Sequence, residues 1–179
     1  MDTLCTRSGR RRGEQGFTLL EIMVVVAIVA ILAAVVVPSW LRDSRKTKAN
    51  SEVGGMFAEI GVKEEQYKIE NHVYLSAASC PTAPSSAGVD FQATCVTTGS
   101  GWANLRIAPT ETKLYCTYAI TAGLSTATPV PPTGFTMTAP ATSWWFAVAT
   151  CDIDGKGGTN TTYFQSSVDP TIQRQNYGS

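Results

Sequence analysis

Residues 16–41 read GFTLLEIMVVVAIVAILAAVVVPSWL, and from Ile22 to Val37 not one side chain is polar. As an α-helix, Phe17 to Leu41 would span roughly 37 Å at about 1.5 Å per residue, enough to cross a hydrocarbon core of about 30 Å. The one charged side chain in it is Glu21. An isolated carboxylate in such surroundings costs a few kcal/mol on insertion scales, so Glu21 is the residue that needs a reason. Before the segment stands MDTLCTRSGRRRGEQG, with Arg7, Arg10, Arg11 and Arg12 against Asp2 and Glu14. This stretch is short, polar and glycine-studded, with nothing to bury, and reads as a leader at residues 1–16.

Orientation does not follow from charge alone. Four arginines precede the segment, and Arg42, Arg45, Lys46 and Lys48 follow it, so the positive-inside rule does not decide. The cysteines do better. Cys80, Cys95, Cys116 and Cys151 form an even set in a region rich in Ser, Thr, Gly and Pro, as expected of a compartment that permits disulfides. A cleavable secretory signal would show a basic start, an apolar run and cleavage near AILAA at 30–34. It would gain nothing from an acid five residues into the run. A twin-arginine signal fits less well, since Arg11-Arg12 is followed by Gly-Glu-Gln.

A cut after Gly16 would give Phe17 a free α-amino group with Glu21 four residues on. An i, i+4 pair shares one helix face, and a helix N-terminus favours an acid. Between copies the pairing can do more: Glu21 of one helix can meet the amine of a neighbour already in place. Opposite charges about 4 Å apart attract by roughly 4 kcal/mol at an effective dielectric of 20, and an unpaired charge in apolar surroundings costs several kcal/mol. Such a contact runs head of one copy to body of the next, and heterologous contacts that do not close build filaments.

Gly16-Phe17-Thr18-Leu19-Leu20-Glu21 followed by a long apolar helix resembles the processing site of type IV prepilins and pseudopilins. The resemblance implies cleavage after Gly16 by a membrane prepilin peptidase, N-methylation of Phe17, and an assembly role for Glu21 and for Pro38, which matches the family's helix-breaking proline. It implies the pilin α+β fold, a long N-terminal helix packed on an antiparallel sheet. Its partners would be further copies in a filament, the peptidase and a pilus assembly platform. The precursor would sit in the bacterial inner membrane with its leader in the cytoplasm, and the assembled form in a cell-surface pilus. No cofactor is implied. The likeness continues loosely through Lys68–Leu75. Ala30 departs from it, since many members carry glycine there.

Beyond the apolar run, residues 42–75 read as the amphipathic half of the same helix. Val53, Phe57, Ile60, Glu64 and Tyr67 make one stripe at 3.6 spacing, interrupted by the acid at 64. Gly54-Gly55 suggests close packing against a sheet or a neighbouring helix, in preference to a flexible point. Residues 76–179 read as a disulfide-bonded β domain. Ser76–Gly101 is expected as a loop, followed by strands at Trp102–Ile107, Leu114–Thr121, Ser143–Thr150 and Thr161–Ser167. Four distal cysteines permit three connectivities. Cys80 with Cys95 would close the loop and Cys116 with Cys151 would tie two strands, which is the arrangement expected. Zinc binding is disfavoured because no C-x-x-C pair exists.

Asp152-Ile153-Asp154-Gly155 invites comparison with a calcium loop, but the position that would need a third oxygen ligand holds Lys156 and no later glutamate follows. An Asp-Gly turn is the simpler reading. His72, the lone histidine, sits at the expected helix end with no Ser or Cys partner, so catalysis has no support. Trp144-Trp145-Phe146 is expected to alternate between core and surface. Fourteen basic and fourteen acidic residues leave zero net charge, which argues against nucleic-acid binding by bulk electrostatics. Arg42, Arg45, Lys46 and Lys48 could touch nucleic acid or lipid headgroups, though a solvated or intersubunit face is simpler.

The leading reading is a type IV pilus subunit. Alternatives are a type II secretion pseudopilin, a minor pilin, and a membrane-anchored binding module using Trp102, Trp144 and Trp145. Replacing Gly16 by a bulky residue, such as Gly16→Leu, should stop processing. A gel of cell extracts checks this: the variant should run at precursor size, and a mature-sized band would refute the processing site.

Overall fold

The computed structural model describes residues 17–155 and 157–177, and the chain divides into two compact units, residues 1–39 and 40–179. Helix α1 runs Leu19–Asn71 and contributes to both, with Pro38 inside it next to the division. In the first unit, the described part is helix whose apolar side chains have no cover.

In the second unit, α1 is held by its stripe. Ala49, Val53, Met56, Phe57 and Ile60 are buried there, three and four residues apart, together with Glu52 and Glu64. Gly61, on the same part of the helix, faces the Trp145 indole at ordinary van der Waals distance. A Cβ at Gly54 or Gly55 would meet nothing within 4 Å, so among the described residues neither glycine is required by close packing against the sheet. The helix stops at Asn71, short of the boundary at 75. His72 takes a left-handed conformation (φ 62°), and its N–H donates to the Lys68 carbonyl at 2.8 Å, a C-terminal cap.

Against the helix lies a five-stranded antiparallel sheet. Its strands are β1 (Ala77–Cys80), β4 (Thr117–Gly123), β5 (Trp144–Cys151), β6 (Thr161–Ser166) and β7 (Gln173–Gln175), in that spatial order. Strands β2 (Val89–Asp90) and β3 (Lys113–Leu114) form a separate pair. The architecture is α+β, as expected of the pilin fold. Alternation sorts the central strands: Tyr118, Ile120, Trp145, Ala147, Ala149 and Tyr163 join the helix stripe in the main core.

Several sequence expectations need correction. Ser76–Gly101 is not all loop: it supplies β1, β2 and the short helix α2 (Phe91–Cys95), capped by the Asp90 carboxylate. Trp102–Ile107 is not a strand. Ser100 caps a turn of helix, α3 (Gly101–Asn104), by accepting from the Ala103 N–H at 3.1 Å. Gly101 fits because a Cβ there would collide with the Ser76 carbonyl. The strand expected over Leu114–Thr121 is split at Tyr115-Cys116, and the cause is Glu52. Its carboxylate accepts from the Tyr115 and Cys116 N–H groups and the Tyr118 hydroxyl, at 2.9–3.0 Å, taking two amides that a strand neighbour would otherwise hold. Nor does Trp144-Trp145-Phe146 alternate with solvent, because all three are buried. Trp144 and Phe146 point to the far face of the sheet, where they cluster with Phe135 and Phe164. The segment between β4 and β5 supplies Phe135 and also the Ala127 carbonyl that accepts from Trp144 Nε1 at 2.9 Å.

Glu64 is fully buried in the stripe. One oxygen accepts from the Leu75 N–H at 3.0 Å, tying the helix to the chain that leaves it, and the other has no partner among the described residues. Burial raises its pKa from 4.5 to about 7, against the lowering effect of the Leu75 bond. Because the folded state holds this proton more tightly than the unfolded chain, its contribution is complete below about pH 4.5 and is lost as pH rises through about 7. The size is about 3 kcal/mol at 1.36 kcal/mol per unit. Denaturant unfolding of the detergent-solubilised chain between pH 4.5 and 8 should therefore show stability falling with pH. Glu64→Gln should flatten that fall, and an unchanged slope would contradict the assignment.

Candidate assembly surface

The helix opens on Thr18. Its side-chain oxygen accepts from the Glu21 N–H at 3.2 Å and its carbonyl from the Ile22 N–H at 3.3 Å, with the first helical residue at Leu19. Thr18-Leu19-Leu20-Glu21 thus has the spacing of a capping box, with the acid three residues after the cap. Glu21 lies in the first turn, where the positive end of the helix dipole favours a carboxylate. That is a second reason for an acid here, one that the sequence reading did not use although the Thr-x-x-Glu spacing carries it. Phe17 precedes the cap and is outside the helix, so it and Glu21 do not form the helical i, i+4 pair expected. Gly16 lies outside the described residues.

From Phe17 to Leu41 every residue is exposed except half-buried Ala33. Leu19 is 82% exposed and Val35 74%. A core helix of a water-soluble domain would be covered, whereas the most apolar part of this one has no buried residue. Covering the 16 apolar residues of Ile22–Val37 at about 1.5–3 kcal/mol each, relative to water, amounts to tens of kcal/mol. So large a continuous apolar surface marks an interaction site with lipid or protein. Pro38 stays within the helix while lacking the N–H that would close its turn. Next to it the Ser39 hydroxyl donates to the Val36 carbonyl at 2.9 Å.

The other sequence candidates fall in the second unit. Cys80 is bonded to Cys95 and Cys116 to Cys151. The first closes 15 residues and the second 35, which in the chain-entropy view stabilises by roughly 3 and 4 kcal/mol. Asp152 forms a turn: its carboxylate accepts from the Gly155 N–H at 2.8 Å and the Gly157 N–H at 3.3 Å. The Asp154 carbonyl accepts from Arg45 Nη1 at 3.1 Å. No group of three or more metal-ligating side chains occurs among the described residues. Trp102, Trp144 and Trp145 are all buried, so they offer no stacking platform to a ligand. His72 is exposed at the helix end.

Residues 11–37 match the family described as the prokaryotic N-terminal methylation motif. Over 66 residues the chain is 42% identical to the type IV wide pilus major component PilA4 of Thermus thermophilus, covering 36% of this chain and 49% of that one. Over 67 residues it is 43% identical to the type II secretion system core protein G of Pseudomonas aeruginosa, covering 37% and 46%. The protein of that name in Escherichia coli is 36% identical over 81 residues, 41% of this chain and 55% of that one. The chain spans about half the length of the curated relatives it matches. No solved structure matches it. With the helix and sheet described above, these findings support a type IV pilin or a type II secretion pseudopilin, the family that the chain resembles. The relatives are named as a pilus component and as secretion-system core proteins, not as enzymes.

Proposed function

We propose that the chain is the precursor of a type IV pilus subunit, cut after Gly16, N-methylated on Phe17 and polymerised into a filament whose interior is made of the apolar helices. The observation that carries this reading is the uncovered run from Ile22 to Val37 with Glu21 alone at its start. Lipid covers that surface before assembly, and the helices of other copies cover it afterwards. On this reading residues 17–41 are the assembly segment, 42–75 the amphipathic continuation and 76–179 the extracytoplasmic domain, whose two disulfides suit that side of the membrane. The precursor spans the inner membrane once, and the filament is at the cell surface. Prepilin peptidase and an assembly platform are its partners. A pseudopilin of a type II secretion system is the second reading, favoured by the likeness to core protein G.

Mass spectrometry of the natural protein should find N-methylphenylalanine, from Phe17, as the first residue. A first residue of Met1, or of an alanine beyond position 29, would overturn the proposal. Glu21→Ala should leave the disulfide-bonded domain folded by circular dichroism and reduce sheared filaments by about tenfold or more, since each 1.4 kcal/mol of lost pairing is a factor of ten. Abundant normal filaments from that variant would remove the charge-pairing mechanism.

A further inference from the structure

We infer that Arg45 and Lys48 form a seat for the phosphate of an anionic lipid headgroup, used while the apolar segment is in the membrane. The inference rests on the membrane-embedded precursor proposed above. The two side chains line one cavity of about 140 Å³ with Ser85, Ser86 and Tyr115. Arg45 gives one N–H to the Asp154 carbonyl and keeps further donors, since a guanidinium carries five. Lys48 Nζ lies 3.6 Å from the centroid of the Tyr115 ring, which orients the ammonium without neutralising it. Neither is ion-paired with a carboxylate among the described residues, where the ion pair found is Lys46 with Asp43. One acid, Asp152, is on the cavity wall. Both its oxygens accept amide N–H groups, and the wall itself carries two basic side chains against this one acid. Gly155 (φ 73°) leaves room for the guanidinium, because a Cβ there would stand 2.9 Å from Arg45 Nη1.

The position in the chain selects lipid as the source of the phosphate. The apolar run ends in Trp40-Leu41, with Trp40 66% exposed, and tryptophan followed by basic residues is the pattern of a membrane–water boundary. Arg45 stands four residues beyond Leu41, about 6 Å of helical rise, within reach of headgroups. Attraction to an anionic surface is worth about fivefold in affinity per basic residue, hence about 25-fold for the two.

The test is native mass spectrometry of the full chain released from detergent micelles containing phosphatidylglycerol and phosphatidylcholine in equal amounts. Phosphatidylglycerol should be retained at least about tenfold over phosphatidylcholine. Arg45→Gln with Lys48→Gln should abolish most of that preference, and Lys48→Gln alone, which leaves the Arg45–Asp154 contact in place, should reduce it about fivefold. Arg42→Gln with Lys46→Gln, which alters basic residues off the cavity wall, should cost less than the double variant in the seat. Equal retention of the two lipids, a preference that survives the Arg45/Lys48 variant, or displacement of the lipid by millimolar inorganic phosphate would overturn the inference. Carbonate extraction of membranes separates this from the underlying reading: a chain that stays in the pellet without lipid preference sinks the seat alone, and a chain that is released sinks both.

Discussion

On the proposed reading, the apolar residues 17–41, exposed among the described residues, are covered first by lipid and then by copies of the same helix. Both are about equally apolar. The hydrophobic effect, worth tens of kcal/mol against water, therefore contributes little to the choice between them. On that reading, what distinguishes the two environments is the carboxylate of Glu21, which has only the helix N-terminus to favour it in lipid and is offered a full positive charge by a neighbouring copy. One residue in the first helical turn thus sets, on the same reading, the preference for assembly over residence in the bilayer, while the sixteen apolar residues after it exclude water from either state.

The same helix carries two buried carboxylates, Glu52 and Glu64, and they show how the fold treats an acid that it can satisfy. Glu52 collects two backbone N–H groups and a tyrosine hydroxyl, and so breaks the strand running past it and pins the helix to the chain between β3 and β4. Glu64 collects one amide and fastens the helix to its own exit. In each case the helix places the acid within its apolar stripe, and the polar contact fixes where the helix sits on the sheet. Glu21, exposed at the helix start, differs in lacking a donor: among the described residues its carboxylate has no partner. Burial raises the pKa of Glu52 and of Glu64, against their hydrogen bonds, which shows that even a well-placed internal acid is held at a cost.

Much of this was legible in the sequence because it rests on periodicity. The apolar run, the 3.6-residue stripe through Val53, Phe57 and Ile60, and the alternating strands around Tyr118 and Phe164 each repeat a signal over several residues. Features fixed by a single long-range contact were not legible. Nothing local to Leu114–Thr121 says that Glu52, more than sixty residues earlier, will take the amides of Tyr115 and Cys116. Trp102–Ile107 alternates like a strand, yet Ser100 and the tight approach of Gly101 to Ser76 make it a helical turn. Trp144-Trp145-Phe146 reads as alternating between core and surface because a strand with one buried face is the usual case. Here the segment between β4 and β5 folds over the other face and buries Trp144 and Phe146, and a Ser/Thr/Pro-rich segment gives little warning of that. Edge strand β7, three polar residues long, has no hydrophobic pattern to read.

On the proposed reading, the orientation of the precursors also explains why the charge contact leads to a fibre and not a dimer. An antiparallel pair could satisfy an amine and a carboxylate reciprocally across a two-fold axis perpendicular to the helices. Copies inserted in one membrane by the same route run the same way, so that axis is forbidden to them. In a parallel pair, displacing one helix by four residues, about 6 Å, brings the amine at Phe17 level with Glu21 of the other, and the displaced copy then presents its own unpaired ends to the next. A displaced, parallel, heterologous contact cannot close on itself without undoing the displacement, and repeated it generates a helix. The lone acid, the orientation imposed by the bilayer and the four-residue offset between the two charges together favour an open-ended polymer. The sheet domain need only avoid obstructing it.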